Sequence, residues 1–456
     1  MSNPNGVDEK TLVVVGGGLA GTEAAWAAAE RGIEVLLYEM RPVKSTPAHK
    51  TGDLAELVCS NSFKGKSPTT AHGLLKQEMR RLGSLLLPIA DASAVPAGEA
   101  LAVDVPVFAA EVTRRVSGHP RIRVVREEAP AIPQGAVVVV ATGPLTSESL
   151  SADLARLSGN DHLYFYDAIS PTLDAETIDR SICFAQSRYD KGEGVYLNCP
   201  MSAEEYRAFI KTLLEAELAP MKDFEPMHLF EGCLPIEELA ARGEETPAHG
   251  PMKPVGLIDP RTGRQSHAVV QLRQENQEGS RFGLVGFQTR LKYSEQKRVF
   301  RMIPGLQSAE FARYGQMHRN TYLNSPRLLD ASLRVRQEKW PGAALFVAGQ
   351  LCGVEGYMES AAVGMVAGVN AARVLHGLQP AVPPAETMVG SLLRYVSGEA
   401  HPTAYPNGRF QPMNSNFGLM TPIEGKLKKA DRIAAKVERA RTAMAAFLED
   451  WERTTE

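Results

Sequence analysis

The sequence of 456 residues contains no apolar run long enough to span a membrane, and its first ten residues lack the apolar core of a secretory signal. We therefore expect neither a membrane segment nor a signal peptide. An excess of one charge is also missing, because 50 lysines and arginines face 53 aspartates and glutamates, for a net charge of −3. This balance excludes a polycation, so any binding to nucleic acid must use local basic patches.

Cysteine is scarce, with five residues scattered along the chain, and no Cys-x-x-Cys or Cys/His grouping has the spacing of metal ligands. We predict free thiols in a reducing compartment, which favours the cytoplasm, and no bound metal. The length exceeds that of one ordinary core and predicts about two or three domains. The sequence carries no signal of an oligomeric state.

A glycine turn near the N-terminus has the context of a dinucleotide-binding motif. Gly16, Gly18 and Gly21 follow a β-branched strand, Thr11 to Val15, and open an alanine-rich helix. The first glycine permits a tight turn, the second lets a pyrophosphate approach the backbone, and the third lets helix and strand pack closely. Glu39 ends the next strand and can accept hydrogen bonds from ribose hydroxyls. A sharp turn in another α/β protein is the alternative reading of the glycines alone.

A second glycine box, Gly349 to Gly356, follows a strand at Ala344 to Ala348 and precedes a helix of small residues. Two glycine boxes so far apart indicate one large ligand that contacts distant parts of the chain, which favours FAD over NAD. Between them, shorter alternating segments predict antiparallel strands. We therefore predict an α/β fold, a doubly wound FAD-binding domain interrupted by an inserted α+β domain and followed by a helical tail. The predicted limits are 1–155 and 325–390 for the FAD-binding domain, 156–324 for the inserted substrate domain and 391–456 for the C-terminal extension.

Two cysteines have surroundings that suit a reactive thiol. Cys59 lies among serine, asparagine and lysine at the end of a long loop over residues 41–70, although a packing role is equally compatible with its position. Cys233 precedes Pro235 and two acidic residues, which mark the start of a helix. The positive end of the helix dipole favours a thiolate there, and a structural cap is the alternative. Cys183 and Cys199 are expected to be structural, and Cys352 either lies near the flavin or packs.

Two basic stretches are candidates for contact with an RNA backbone. One is the tail from Lys426 to Arg441, and the other is a cluster in the inserted domain. A polar aromatic stretch from Tyr314 to Asn324 could line a cleft for planar rings, or form an ordinary domain hinge. Solvated surface is the more common role of basic stretches. The cluster comprises Arg281, Arg290, Lys292, Lys297, Arg298 and Arg301.

Several motifs together resemble the folate- and FAD-dependent tRNA uracil-5-methyltransferase family (TrmFO), over nearly the whole chain. The segments around Cys59 and Cys233 are far more specific than the glycine turn. The motifs are Gly16 to Gly21, Glu39 to Pro42, Thr46 to His49, Ala55 to Phe63, Gly232 to Pro235, His318 to Tyr322 and Gly353 to Tyr357.

The resemblance implies formation of 5-methyluridine in the tRNA T-loop, with FAD bound, carbon from 5,10-methylenetetrahydrofolate and reducing equivalents from NADH or NADPH. It agrees with addition of Cys233 to uracil C6 and gives Cys59 the role of base near the isoalloxazine, although the two roles can be exchanged. It also implies a glutathione-reductase-like form of the FAD-binding domain. The predicted cofactor-binding residues are Gly16, Gly17, Gly18, Leu19, Ala20, Gly21, Glu39, Arg41, Gly143, Gly349, Gln350 and Gly353.

Three alternatives remain open at this point. One is the same chemistry on a ribosomal RNA uridine. Another is the modification of wobble uridines, as in the related but larger GidA flavoproteins, which normally needs a GTPase partner. The last is a small-molecule flavin oxidoreductase or a flavin-bearing binding protein without an RNA substrate.

Overall fold

The computed structural model describes residues 10–159, 162–190, 196–220, 234–400, 405 and 410–451. Within this part of the chain, no helix is long and apolar enough to cross a membrane. The strands are β1 (Leu12–Val15), β2 (Val35–Tyr38), β3 (Ser62–Gly65), β4 (Ala94–Val95), β5 (Ala100–Val103), β6 (Ile122–Val125), β7 (Val137–Val140), β8 (His162–Ala168), β9 (Thr172–Asp174), β10 (Phe184–Gln186), β11 (Tyr196–Met201), β12 (Ala268–Gln274), β13 (Arg281–Leu284), β14 (Phe311–Arg313), β15 (Met317–Leu323) and β16 (Leu345–Val347).

The helices form layers on these strands. Most begin after a residue with extended backbone, and several of these residues, such as Thr70 and Ser202, cap the first turn with a side-chain oxygen. The helices are α1 (Leu19–Ala29), α2 (Ala71–Arg81), α3 (Leu86–Ala92), α4 (Val105–Ser117), α5 (Glu148–Ser158), α6 (Ala203–Glu215), α7 (Ile236–Ala241), α8 (Thr246–His249), α9 (Tyr293–Phe300), α10 (Tyr357–Leu375), α11 (Met388–Ser397) and α12 (Lys429–Trp451).

A parallel sheet of five strands, in the order β16-β7-β1-β2-β6, forms the centre of the region that carries the two glycine boxes. The strands β1 and β7 are runs of apolar residues that are buried throughout, as expected for parallel strands covered on both faces. Because parallel strands end at the same edge, the segments after β1, β7 and β16 meet there. This edge brings Gly16, Gly143 and Gly349 together although they are far apart in the sequence.

The helices α1 and α10 cross in close contact beside this sheet. A Cβ atom at Gly364 would lie 2.2 Å from the carbonyl oxygen of Ala20, and one at Gly368 would lie 2.2 Å from that of Ala24. The two glycines are one helical turn apart, so together they form a flat strip against which α1 packs. The crossing fixes the first turn of α10 beside the first turn of α1.

The inserted region has its own antiparallel sheet, in the order β10-β11-β12-β13-β9-β14. Its buried apolar residues, including Phe209, Phe287 and Phe300, form a cluster distinct from that of the parallel sheet. The strands β8 and β15 pair as an antiparallel ribbon between the two regions. The predicted fold class, a doubly wound domain with an inserted α+β domain and a helical tail, is confirmed, whereas the domain limits given above stay a prediction.

Some element boundaries differ from the sequence-based expectation. The sequence predicts a first helix from Thr22 and a tail helix from Ile423, whereas in the structure these helices begin at Leu19, inside the glycine turn, and at Lys429. The expected long loop over residues 41–70 contains β3, which pairs with β5 in an irregular register. Phe63 is the one large apolar residue of β3, so the sequence of this strand has little alternation to detect.

Candidate active site

The glycine turn between β1 and α1 is shaped by close contacts with neighbouring backbone. Gly16 has a φ of +104°, and a Cβ atom there would lie 2.6 Å from the carbonyl oxygen of Ala141. A Cβ atom on Gly21 would collide with the carbonyl oxygen of Gly16. At Gly18, the N-cap of α1, a Cβ atom would meet no atom within 4 Å. The N-terminus of α1 therefore faces open space, which suits an anionic phosphate.

Glu39 lies at the end of β2 and is held by the turn itself. Its carboxylate accepts hydrogen bonds from the Gly17 N–H at 3.0 Å and from the Arg41 N–H at 2.9 Å. The Arg41 guanidinium donates to both oxygens of Glu39 and reaches Glu56 at 3.1 Å. Burial opposes ionisation, but the hydrogen bonds and charge of Arg41 outweigh it and lower the pKa of Glu39. Glu39 is therefore an oriented anion at the wall of the cleft.

One cleft collects most of the predicted cofactor-binding residues. Gly21 and Gly353 do not line it, since Gly21 packs against the strand and a Cβ atom on Gly353 would meet the Phe410 ring at 2.3 Å. Its walls include Gly16, Gly17, Gly18, Leu19, Ala20, Glu39, Arg41, Gly143, Gly349 and Gln350.

A second cleft continues from the first toward the inserted domain. Cys59 lines this second cleft and is partly exposed, and Tyr357, at the start of α10, lines both. The inserted domain contributes Arg273, Glu275 and Gln288 to the opposite wall. The site thus lies between the dinucleotide turn and the inserted sheet. The residues common to both clefts are Val58, Pro144, Leu145, Gln350, Tyr357 and Ser360.

A buried carboxylate forms part of the second cleft. Glu359 accepts a hydrogen bond from the backbone N–H of Ser415 at 3.0 Å, also contacts the Ser415 hydroxyl, and lies 3.2 Å from Nδ1 of His72. Burial alone would raise its pKa, but His72, the Lys64 charge and Ser415 together lower the pKa of Glu359 to about 2. This side of the cleft therefore carries a fixed negative charge next to the Lys64 ammonium.

Cys233 lies outside the described residues. The helix predicted after it is present as α7, which begins at Ile236 with Pro235 as its N-cap. The backbone N–H of Ile236 donates to the carbonyl of Gln288 at 2.8 Å, and Gln288 lines the second cleft. The described chain therefore resumes next to the cleft that holds Cys59.

The remaining cysteines lie in buried positions. Cys183 and Cys199 face each other in the inserted sheet with their sulfurs 3.3 Å apart. Cys352 donates to the carbonyl of Gly349 at 3.0 Å, and burial raises its pKa to about 12. Cys352 therefore lies in the turn after β16 but stays a neutral thiol. Among the residues that are described, no group of three or more His, Cys, Asp or Glu could hold a metal ion.

The basic cluster of the inserted domain is neutralised by local carboxylates. Each of its six members forms an ion pair, so the cluster offers less positive charge than its sequence indicates. The pairs are Arg281 with Asp174, Arg290 with Glu238, Lys292 with Glu217, Lys297 with Glu310, Arg298 with Glu295 and Arg301 with Glu310.

The basic tail divides into structural and exposed residues. Buried Lys436 donates to the carbonyls of Phe417 and Met420, and Arg439 donates to the carbonyl of Pro422 at 3.1 Å. Lys428 and Lys429 are exposed where α12 begins. In the polar aromatic stretch, Asn320 lines the second cleft, whereas Tyr322 is buried and Tyr314 stacks on Tyr293 elsewhere.

The sequence reasoning missed Tyr357, Glu359 and His72 as parts of the site. Tyr357 was visible only as the last residue of the Gly353 to Tyr357 motif, without an assigned role. Its contact with Cys59 joins residues 298 positions apart. No local pattern could have predicted such a contact.

Residues 11–379 match the family described as Glucose inhibited division protein A. The chain is 56% identical over 439 residues to a protein of Desulforudis audaxviator named methylenetetrahydrofolate–tRNA-(uracil-5-)-methyltransferase TrmFO, covering 96% of this chain and 98% of that protein. Proteins with the same name from Pelotomaculum thermopropionicum and Geobacter sulfurreducens are 56% and 54% identical, and each match covers at least 96% of both chains.

Among solved structures, Aquifex aeolicus GidA in its form II crystal matches with a TM-score of 0.68 and 18% identity. The match covers 98% of this chain and 75% of that chain. At this identity the likeness extends to the fold alone, which is consistent with the layers described above.

Proposed function

The chain belongs to the glucose inhibited division protein A family and, within it, to the methylenetetrahydrofolate-dependent tRNA uracil-5-methyltransferases, and we propose how its residues carry out this methylation. The family implies FAD and methylenetetrahydrofolate as cofactor and carbon donor. The observation that carries the assignment of the site is the position of Cys59, which lines a cleft continuous with the dinucleotide turn. The target uridine is that of the tRNA T-loop, and the reaction takes place in the cytoplasm, where tRNA is modified.

The first cleft fits FAD on two observations. The N-terminus of α1 at Gly18 opens onto space where a phosphate can lie, and Glu39 is an ionised, fixed acceptor for ribose hydroxyls. The turn from Gly16 to Ala20 would hold the pyrophosphate, while Gly143, Gly349 and Gln350 would contact the cofactor from the other strands. When bound and reduced by NADH or NADPH, FAD supplies the hydride that completes the methyl group.

The two cysteines divide the chemistry on uracil. The thiolate of Cys233 forms a bond to C6, and the electron pair of the C5=C6 bond then attacks the electrophilic one-carbon unit at C5. The thiolate of Cys59 removes the C5 proton, and the bond between the carbon unit and its carrier breaks to leave an exocyclic methylene. After hydride transfer, the C6–S bond breaks and the Cys233 thiolate is restored.

The position of Ile236 supports this division. Cys233 precedes Ile236 by three residues in the sequence, and the backbone N–H of Ile236 is bonded to Gln288 at the edge of the second cleft. The inserted domain thus supplies the nucleophile and the FAD-binding domain supplies the base.

RNA containing 5-fluorouridine tests the assignment of the nucleophile. Fluorine at C5 cannot leave as a proton, so the covalent adduct accumulates. We expect that Cys233→Ala abolishes the adduct with a T-loop transcript, whereas Cys352→Ala, at a buried neutral thiol, retains it. Full crosslinking by Cys233→Ala would move the nucleophile elsewhere.

Mass spectrometry of the T-loop uridine tests the activity itself. A transcript incubated with the flavoprotein, methylenetetrahydrofolate and NADPH should gain one methyl group at C5, and Cys59→Ala should lose this product. A methyl group on ribosomal RNA but not on the tRNA transcript would contradict the proposed substrate. Wild-type turnover by Cys59→Ala would remove its role as base.

A further inference from the structure

The hydroxyl of Tyr357 lies against the backbone and the side chain of the Cys59 segment. Its oxygen accepts hydrogen bonds from the backbone N–H groups of Cys59, at 2.8 Å, and Ser60, at 3.1 Å. The same oxygen lies 2.8 Å from the Cys59 sulfur. Tyr357 is the first residue of α10 and follows Gly356, so its position is set by the glycine box and by the crossing of α10 with α1.

The count of donors and acceptors fixes the direction of the contact with sulfur. A phenol oxygen has one hydrogen to donate and two lone pairs to accept with. The two backbone N–H groups occupy the acceptor positions. Burial and the adjacent Cys59 raise the pKa of Tyr357 well above its ordinary value, so the phenol keeps its hydrogen. That hydrogen must therefore point to the sulfur of Cys59.

We propose that Tyr357 is a positioning residue that holds Cys59 as a thiolate, by donating its hydroxyl hydrogen to the sulfur while two backbone N–H groups anchor the phenol oxygen. A hydrogen bond donated to an ionised group favours the charged form, and such charge-assisted bonds are shorter than neutral ones. The proposal rests on the proposed function only in giving that thiolate the role of base.

The phenol also sets the direction of the thiolate. Its ring packs edge-on against Phe63, with ring centroids 6.0 Å apart, so the hydroxyl has little freedom to leave the sulfur. When the thiolate takes the C5 proton, an S–H bond forms and the phenol keeps its own hydrogen, so no proton is lost from the pair. The hydrogen bond from the Tyr357 hydroxyl to the neutral Cys59 thiol is then weaker than the bond to the thiolate, until the thiol loses its proton again.

Charged groups of both signs face the same cleft from the surrounding elements. Behind the lining residues, Arg313 donates to the carbonyl of Val58 at 3.5 Å and pairs with Glu275. Because these charges include both cations and anions, their combined effect on the sulfur is smaller than that of either sign alone. The charged residues lining the cleft are Lys64, Arg273, Glu275, Glu355 and Glu359.

The test is the pH profile of Cys59 alkylation in the flavin-loaded protein. Iodoacetamide reacts with the thiolate, and peptide-resolved mass spectrometry separates Cys59 from the other cysteines. For Tyr357→Phe we expect the midpoint of the profile to rise by about one pH unit, so that the rate falls about tenfold at pH values well below both midpoints, with the same plateau at high pH.

Tyr206→Phe is the matched control, because the Tyr206 hydroxyl also accepts a backbone N–H, from Ala248, and donates to the carbonyl of Glu244, but lies in the core of the inserted domain. It should leave the profile of Cys59 unchanged. An unchanged midpoint in Tyr357→Phe would overturn the proposal. So would a rate that falls equally at every pH, since this would show only a change of access.

Two further measurements keep the result decisive. The first is the ultraviolet absorbance of the Cys59 thiolate, taken as the difference between each protein and Cys59→Ala. It reports the ionisation of Cys59 even if the flavin limits the access of iodoacetamide. If Tyr357→Phe does not fold, the wild-type chain labelled with 3-fluorotyrosine, a stronger donor, must show a lower midpoint, and an unchanged midpoint overturns the proposal. None of these measurements uses folate or tRNA, so their failure is distinct from a failure of the methylation assay.

Discussion

At the level of single residues, Glu39 connects the glycine turn with Arg41 through a buried network of charge. Its two oxygens serve the Gly17 N–H, the Arg41 N–H and the guanidinium together. Arg41 is almost fully buried, and Glu39 and Glu56 balance its charge. Because these donors hold the Glu39 carboxylate in place, it can act as a fixed hydrogen-bond acceptor for ribose hydroxyls.

Glu39→Gln is expected to lower both flavin content and stability. The amide removes the charge that faces Arg41 and places an N–H donor against other donors, so we expect a loss of about 3 kcal/mol. The flavin-to-protein absorbance ratio and chemical unfolding of the flavin-free chain measure the two effects. Glu111→Gln, at a carboxylate paired with Arg114 and Arg115 on the surface, should change neither measurement. Full flavin content in Glu39→Gln would contradict the role of the carboxylate.

The sequence predicted the position of Glu39 in the site, but for Cys59 it predicted only a reactive setting and not the neighbouring residue. Glu39 has a fixed distance from the glycine turn in a strand–helix–strand unit, so spacing alone brought it to the site. Cys59 was recognised by its polar neighbours, but only the fold brings it next to Tyr357. Residue pairs that meet through tertiary packing leave no periodic signal in the sequence.

At the level of elements, the crossing of α1 and α10 positions both ends of the site. The strip of Gly364 and Gly368 lets the backbones approach more closely than any side chain would allow. As a result Gly18, at the N-terminus of α1, and Tyr357, at that of α10, both line the first cleft.

Gly364→Ala is expected to push the two helices apart. The new methyl carbon would lie 2.2 Å from the carbonyl oxygen of Ala20, which cannot move without its helix. We expect a loss of stability of about 2 kcal/mol and weaker retention of flavin. Thermal unfolding and flavin release measure these effects. Gly342→Ala, where the nearest atom is 3.6 Å away, should behave as wild type, and equal behaviour of the two variants would remove the argument.

The start of α12 is the part of the basic tail that remains for RNA. We expect the double variant Lys428→Glu, Lys429→Glu to weaken tRNA binding and to reduce the slope of log affinity against log salt by about two. Binding titrations over a series of salt concentrations measure both quantities. The exposed pair Arg207→Glu, Lys211→Glu on α6 is the control. Unchanged affinity and slope would make the start of α12 an ordinary solvated surface.

The sequence predicted the tail as a helix with a basic face, but it could not separate the roles of its charges. In the sequence, Lys436 and Arg439 look no different from the exposed basic residues of the tail. In the structure, both bind carbonyl groups of the segment that leads into the helix. In the same way, most acidic partners of the inserted cluster come from other elements, with Glu295 beside Arg298 on α9 as the exception. Neutralisation therefore depends largely on the fold. Charge runs in a sequence therefore overestimate the potential of the surface.

At the level of the whole molecule, Glu359 joins three separate parts of the chain. It belongs to α10, contacts His72 of α2, and binds the backbone of Ser415 in the segment before the tail. Its pKa is lowered to about 2, so its ionised form is part of the folded state. Protonation would weaken all of these contacts at once.

Glu359 is expected to contribute to acid unfolding. Because its pKa in the folded state lies below its ordinary value of 4.5, the contribution is fully present above that pH and is lost as the pH falls toward 2. The complete loss is on the order of 3 kcal/mol. Denaturant unfolding midpoints at decreasing pH should fall less steeply for Glu359→Gln than for wild type. Parallel curves for the two proteins would contradict the lowered pKa.

The division of the molecule into a doubly wound domain and an insertion was predictable from the hydrophobic pattern of the sequence. The strands of the first are continuous apolar runs, whereas those of the second are short segments in which apolar and polar residues alternate. The continuity of the two clefts was not predictable. It depends on Val58, Pro144 and Tyr357, which come from separate loops and a helix and line both clefts. Such a junction is a property of the packed domains and has no counterpart in local sequence.

The order of strands in the parallel sheet has a consequence for synthesis on the ribosome. The strand β16 pairs with β7, and α10 covers α1, but both are made more than 200 residues after β7. Until they leave the exit tunnel, the nascent chain exposes an unpaired strand edge and the alanine face of α1. The flavin-binding half therefore matures only after the insertion has been translated, and chaperones that shield exposed strands would act on this chain during that interval.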